Sequence, residues 1–362
     1  MRVSMWLNFR RLAALFSCLL CAVLLTQPAT GAEKKNFKVA WSIYVGWMPW
    51  DYANQSGILK KWADKYGITI QLTQINDYIE SINQYTAGSF DACVMTNMDA
   101  LTVPAAGGVD STALIVGDFS NGNDGIVLKG KGKALADIKG QPVNLVQLSV
   151  SHYLLARALA SVSLRERDVK VINTSDADIV GAFTSSAATS VVTWKPQLAA
   201  VLAMANTTEV FDSSRIPGEI LDLMVVNSAT LRSNPKLGRA LVGAWYETMA
   251  LMSSGDPKSA AALGVMAKAS GTDLAGYKGQ LLTTRLFTTA AEAQSFATSA
   301  NIVKSMDLVR NFSFTHGLLG DGARSVDAVG IEFAGGKTLG DAKNIKLRFD
   351  PSYMQLAADG KL

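Results

Sequence analysis

The sequence, 362 residues long, predicts an α/β protein built as two doubly wound lobes with two crossover segments, and three observations carry this. Short apolar, β-rich runs alternate with segments of helical period, the pattern of parallel-sheet units. Turn-rich Ser120-Asn121-Gly122-Asn123-Asp124-Gly125 interrupts the alternation, which then starts afresh. The runs Val94 to Leu101 and Val191 to Leu198 both read strand, threonine, then helix with a leucine five residues after the threonine. Asn97 and Trp194 are thus expected at equivalent strand-to-helix corners, where open α/β sheets place ligands.

The first segment is read apart from the fold. Arg2, Arg10 and Arg11 form a basic region, Leu12 to Leu25 an apolar one, and Thr30-Gly31-Ala32 offers small residues for cleavage, so residues 1–32 read as a secretory signal peptide. Cys18 and Cys21 lie inside the apolar region rather than at the cleavage point, which argues against a lipid anchor. Cleavage leaves Cys93 alone, so stability is expected from a large core rather than a disulfide. No later apolar run approaches the roughly 18 residues of a membrane span, and a soluble periplasmic product is expected. Of 34 basic residues three are lost with the signal, leaving 31 against 30 acids, a balance that gives no case for nucleic acid.

Lobe 1 is expected over 33–118, with strands at Phe37 to Tyr44, Ile68 to Leu72, Phe90 to Met95 and Ala113 to Val116. Helices alternate with them at Asp51 to Lys65, Tyr78 to Ala87 and Asn97 to Ala105. Lobe 2, over 119–221, repeats the logic: strands at Pro142 to Val146, Val169 to Asn173 and Ser190 to Thr193, helices at Ser151 to Ala160, Asp176 to Thr184 and Pro196 to Ala205. Ile220 to Val226 carries the chain back, and 222–362 returns to lobe 1, mostly helical from Pro235 to Asn311, with a strand at Lys346 to Phe349 and a helix at Ser352 to Ala358.

The corners that follow strands hold the candidate ligand residues. Tyr44, Trp47 and Trp50 surround Gly46 and Pro49, which break both periods and favour a ligand-walling loop over a core cluster; Trp41, inside the strand, is assigned to the core. Trp194 sits at a strand end on the sheet rim, where a core role is hard to place. Helix starts suit anions on geometry alone, yet no Lys or Arg occurs from Tyr66 to Leu128, while Asp77, Glu80, Asp91, Asp99, Asp110, Asp118 and Asp124 do. Sulfonates and nitrate are normally gripped by such cations. A small cation or neutral amide, stacked on rings and hydrogen-bonded by carboxylates and amides, fits better.

Several acids have competing roles. Asp77 is a candidate ligand contact, but Asp77 with Glu80, Thr96 with Asp99 and Ser175 with Asp178 have capping-box spacing, whereas Asp51, Asp118 and Asp222, also candidate ligand contacts, lack an obvious cap partner. His152 and His316, the only histidines, have no second ligand at metal spacing, so no metal and no cofactor are expected. Ser149 and Ser151 stand outside any G-x-S-x-G frame and Gly130-Lys131-Gly132-Lys133 lacks P-loop spacing, so no enzyme is expected.

The runs SVSHYLLARAL, LRERDVKVIN, DADIVGAF and VVTWKPQL, with IESINQYTAGSFDACVMTNMDAL before them, resemble the periplasmic solute-binding proteins for nitrate, sulfonates, taurine and thiamine precursors. WSIYVGWMPWDYANQSGILKKWADKYGI and the ending RFDPSYMQLAADGKL look most like the subgroup accompanying urea carboxylase, also connected with guanidine carboxylase. The resemblance implies a type II periplasmic binding fold, closure of two lobes on a small solute, and delivery by a monomer to the permease and ATPase subunits of an ABC importer at the inner membrane. It implies ligand contacts from the first-strand loop, from Asn97, Asp118, Ser149 to His152, Trp194 and Asp222. The missing basic residues depart from the anion-binding members, which favours guanidinium first and urea second. Another amide, amine, sulfonate or nitrate is the alternative ligand. A ligand sensor docked on a membrane receptor and a pyrimidine-synthase-like enzyme on the same fold are the alternative functions, though the enzyme's cysteine-rich motif is missing.

Overall fold

The computed structural model describes residues 33–362; the signal-peptide reading of residues 1–32 lies outside the described residues. β1 (Asn36–Trp41) leads to α1 (Met48–Gln55), α2 (Ile58–Lys65), β2 (Thr69–Gln74), α3 (Tyr78–Thr86), β3 (Ala92–Thr96), α4 (Asn97–Ala100) and β4 (Ser111–Ser120). Next come β5 (Asp124–Lys129), β6 (Pro142–Leu145), α5 (Val150–Ser161), β7 (Lys170–Asn173), α6 (Ile179–Thr184), β8 (Ser190–Trp194), α7 (Gln197–Leu202) and β9 (Thr207–Asp212). After β10 (Leu221–Asn227) the chain is mainly helical: α8 (Ser228–Ser233), α9 (Lys236–Ser253), α10 (Pro257–Ala269), α11 (Leu274–Leu281), then β11 (Thr284–Leu286), α12 (Ala290–Ala297) and α13 (Ala300–Thr315). β12 (Gly330–Glu332), β13 (Thr338–Leu339), β14 (Ile345–Phe349) and α14 (Ser352–Ala358) close it.

The strands form two sheets. The first runs β13-β12-β14-β4-β10-β3-β1-β2, with β11 added to β4; the second runs β7-β6-β8-β5-β9. The chain crosses between them twice, from β4 to β5 and from β9 to β10, as the two-lobe pattern predicts. β1 is parallel to both β2 and β3, while β10 lies antiparallel between β3 and β4. Val39, Ala40, Val94 and Met95 are all buried, the near-continuous apolar run of a strand covered on both faces.

Three local expectations are corrected. The loop expected from Tyr44 to Asp51 is shorter, because Pro49 stands in the first turn of α1, where its missing N–H costs nothing. The single helix expected over Asp51 to Lys65 is two, broken at Gly57, whose φ of 81° an L side chain rarely adopts. The strand expected at Ala113 to Val116 runs on to Ser120, and the turn-rich crossing shrinks to three residues before β5 begins at Asp124. The Gly and Asp in these runs read as turn formers, but ladder hydrogen bonds on both sides of β4 and β5 override that local preference.

The first sheet's core is built on large rings: Trp50 stacks on Trp245 at 5.0 Å between centroids. Helix α9 packs against α2, and at Gly243 an added Cβ would lie 2.3 Å from Trp62 Cε3. Gly243→Ala is therefore expected to destabilise the protein by about 1–3 kcal/mol through overpacking, read as a lower denaturant midpoint with an unchanged m-value.

Candidate functional site

Where β1 ends, the backbone turns sharply: the Tyr44 carbonyl accepts from the N–H groups of Trp47 (2.9 Å) and Met48 (3.2 Å), opening α1. Gly46 is required inside this turn, since a Cβ there would stand 2.4 Å from Tyr44 Cε1 and 2.7 Å from Asp118 Oδ2. The turn thereby presents Tyr44 and Trp47 side by side, ring centroids 5.1 Å apart. Trp47 continues to Tyr78 at 5.7 Å, and Tyr78 to Trp194 at 5.5 Å. Four rings thus run from the first sheet to the second.

These rings wall a cavity between the sheets. Thr96, Ile220 and Asp222 complete it from the first-sheet side, Asp124, Val150 and Trp194 from the second. The cavity is narrow, with room for little more than one water molecule between these side chains. The sheets meet directly around it: Trp194 Nε1 donates to the Ile43 carbonyl (3.3 Å), Val45 N–H to the Lys195 carbonyl (3.2 Å) and Tyr78 N–H to Asp176 Oδ1 (3.0 Å).

The electrostatics follow from strand register. Asp222 on β10 is paired with Thr96 of β3 on one side and with Asp118 of β4 on the other, which sets two carboxyls opposite each other across neighbouring strands. Like charges so placed repel. The Tyr44 hydroxyl donates to Asp118 Oδ1 at 3.1 Å, and among the described residues Asp118 Oδ2 has no hydrogen-bond partner. Burial raises the Asp118 carboxyl to about 6 despite hydrogen bonds from Asp222 and Tyr44. Asp222 rises further, by burial and then by the charge of Asp118. Burial raises Asp124 to about 7, where Ser120 and the Lys195 charge pull it down and the Asp118 charge pushes it up.

No Lys or Arg of the described residues lines the cavity. The neighbouring cation is Lys195, whose Nζ donates to the Gly122 carbonyl (3.2 Å) and Thr283 Oγ1 (2.9 Å); burial pushes it below the usual lysine range. Behind the wall, Asp99 accepts from the Tyr78 hydroxyl (2.6 Å) and Thr96 Oγ1 (2.8 Å), fixing the Tyr78 ring, and is itself raised by burial to about 6.

Of the residues singled out in the sequence, Tyr44, Trp47, Trp194 and Asp222 line the cavity and Asp118 backs it. Trp50 does not: it lies one helical turn past Trp47 but faces Trp245 in the core. Asp51 is on the far side of α1, hydrogen-bonded by Gln55 Nε2 at 2.6 Å. Asp77 caps α3 by accepting from Glu80 N–H at 2.9 Å. Asn97 ties down the backbone where the second crossing enters β10, donating to the Glu219 carbonyl (3.0 Å) and accepting from Leu221 N–H (3.0 Å). Ser149 caps α5 by accepting from Ser151 N–H at 3.2 Å, which places the next residue, Val150, on the cavity.

His152 points away from the cavity toward Glu166 and His316. Sequence spacing gave neither histidine a metal-binding neighbour, but in the fold Glu166 stands between them, and the expectation that they are isolated is corrected. Asp124, one of the acids in the stretch without Lys or Arg, sits in a run of turn formers that gives no sign of the cavity, and Tyr78 and Thr96 mark helix starts in the sequence rather than ligand contacts.

Neither a protein-family model nor a curated protein matches the chain. Among solved structures it is similar to the alkanesulfonate-binding protein SsuA from Xanthomonas axonopodis pv. citri bound to MOPS, at 16% identity over 80% of this chain and 96% of that one, with a TM-score of 0.65. It is similar also to the periplasmic nitrate-binding protein NrtA from Synechocystis PCC 6803, at 14% identity over 91% and 99%, TM-score 0.56. The desulfurization enzyme DSZB aligns at 14% identity over 78% and 93%, TM-score 0.54. The architecture is thus the periplasmic binding protein fold, as expected from the sequence.

Proposed function

We propose that the chain is the periplasmic solute-binding component of an ABC importer and binds a small planar nitrogen compound, guanidinium first and urea second, between a lobe formed by 33–118 with 222–362 and a lobe formed by 119–221. It acts as a monomer that hands its solute to permease and ATPase subunits. One observation carries this reading: buried Asp222 and Asp124, with Asp118 behind them, meet at an aromatic-walled cavity whose lining includes no Lys or Arg. Guanidinium supplies the missing positive charge, offers N–H groups around a flat perimeter and stacks on Trp and Tyr faces. Urea has the same shape without the charge. Trp47 Nε1, a buried donor that has no partner among the described residues, suits a urea carbonyl and is of no use to guanidinium. The carboxylates outweigh it, because leaving a buried charge unpaired costs more than leaving an indole N–H unpaired.

A sulfonate or nitrate would meet the carboxylates without a cation to offset them. For the enzyme reading, favoured by the likeness to DSZB, the nucleophile is hard to find: Cys93 is buried in β3 with its thiol pushed up by burial to about 12, and His152 is engaged outside the cavity. The test is thermal unfolding with guanidinium, urea, taurine and nitrate at constant ionic strength. Guanidinium at a hundred times its Kd should stabilise the fold by about 2.7 kcal/mol, a rise of several degrees, with a smaller rise for urea. If only the anions shift the transition, the cation reading is wrong.

A further inference from the structure

His152, Glu166 and His316 converge outside the cavity and join the same two sheets. His152 stands in the first turn of α5 and Glu166 opens a short 3-10 turn before β7, while His316 ends α13, which packs on α4 beside the first sheet. His152 Nε2 is 3.1 Å from one Glu166 oxygen and His316 Nε2 is 2.5 Å from the other. The three candidate ligand atoms all lie within 4.8 Å of one another. The backbone fixes one ring: His316 Nδ1 faces the Phe312 carbonyl at 2.8 Å, which can only accept, so Nδ1 carries a proton and Nε2 is turned to Glu166. Stacking on Phe312, at 3.9 Å between centroids, holds that orientation.

We propose that this triad is a site for a divalent transition-metal ion of the zinc class, held by Nε2 of His152, Nε2 of His316 and a Glu166 oxygen, and that the ion staples α5 to α13. Two imidazoles and a carboxylate suit Zn²⁺, Co²⁺ or Ni²⁺ and not the oxygen-seeking Mg²⁺ or Ca²⁺. Three protein ligands leave a fourth position for water, and the side chains of Glu166 (30% exposed) and His316 (18%) give the ion a path in. The His316 to Phe312 carbonyl bond is the outer-shell contact that metal-bound histidines use. His152 is set differently: its Nδ1 accepts from Leu148 N–H at 3.2 Å, so without metal its proton sits on Nε2. Loading displaces the Nε2 protons of both rings: His316, doubly protonated between the Phe312 carbonyl and Glu166, releases one, and His152 moves its proton to Nδ1, which gives up one long hydrogen bond. The donor belongs to an exposed residue already at φ 64°, at the edge of the fold.

The test uses chelator-stripped protein titrated with ZnCl₂ or MgCl₂, followed by calorimetry and thermal unfolding, with and without guanidinium. One equivalent of Zn²⁺ is expected to saturate the site and raise the melting temperature, and Mg²⁺ to do nothing. His316→Gln and Glu166→Gln should each weaken Zn²⁺ binding by about tenfold or more; reading each variant with metal against itself without metal removes any loss of stability from the substitution. An unchanged melting temperature in Zn²⁺, or a shift that both variants keep in full, overturns the proposal. Guanidinium binding is read at the cavity, so either result leaves the solute assignment to its own test.

Discussion

Asp222→Asn is expected to weaken guanidinium binding by at least about a hundredfold and, at neutral pH, to raise the melting temperature of the unliganded protein. Both effects come from one geometry. Asp222 and Asp118 face each other across β10 and β4 in a buried setting, with repulsion that only a proton or a bound cation relieves. An amide at Asp222 can donate to Asp118 without holding a proton at neutral pH, which stabilises the empty form. It also deprives the ligand of a charged acceptor, and truncating one side of a buried, hydrogen-bonded charge pair costs about 2–5 kcal/mol. Urea, which carries no charge, should lose less than tenfold. Calorimetry with both ligands, beside thermal unfolding of the unliganded variant, reads the three effects together. A variant that binds guanidinium as well as the parent would remove Asp222 from the site and take the cation reading with it.

Asp118→Asn should act in the same direction. Its Oδ1 still accepts from Tyr44, because an amide oxygen can replace the carboxylate there.

What could be read from the sequence was local. The two lobes follow from hydrophobic period, and the Gly46 turn from the break in that period; that turn brings Tyr44 and Trp47 to one wall of the cavity. Trp50 belongs to the core because α1 begins at Met48 rather than at the expected Asp51, which puts Trp50 among its buried residues. The same shift gives Asp51 a partner four residues on, in Gln55, and a structural role. Asp77, a candidate both for ligand contact and for capping, caps α3 and does not line the cavity.

Long-range pairings were not legible. Asp124 reads as turn because Asn121, Gly122 and Asn123 precede it, and only pairing with β8, which sets it opposite Trp194, makes it a strand residue at the cavity. The Asp118–Asp222 repulsion depends on strand register between segments about a hundred residues apart, and no short-range pattern encodes register. His152 and His316 are brought together by the docking of α13 near α5, again a tertiary event. The echo between Val94 to Leu101 and Val191 to Leu198 does mark two strand-to-helix corners, yet the residues after the threonines differ in use: Asn97 ties backbone together while Trp194 faces the cavity.

The stability gained from guanidinium should grow as pH rises from 5 to 8. In the empty protein Asp118 titrates at about 6 and Asp124 at about 7, both raised chiefly by burial, while an unfolded chain releases these protons near 3.9. Between those values the native state holds more protons than the unfolded one, and stability therefore falls as pH rises through the interval. For Asp124 alone the loss is on the order of 4 kcal/mol. A bound cation changes the sign of the local field and lets the carboxyls ionise in place, so the loaded protein is spared much of that decline. Protons leave as the cation enters, and the heat of binding should depend on the ionisation enthalpy of the buffer near pH 6, less so in Asp124→Asn. The difference in melting temperature between loaded and empty protein, followed from pH 5 to pH 8, removes titrations remote from the cavity. A difference that stays flat or shrinks with pH would mean that the ligand does not neutralise these carboxylates, and would leave a neutral amide such as urea as the better candidate.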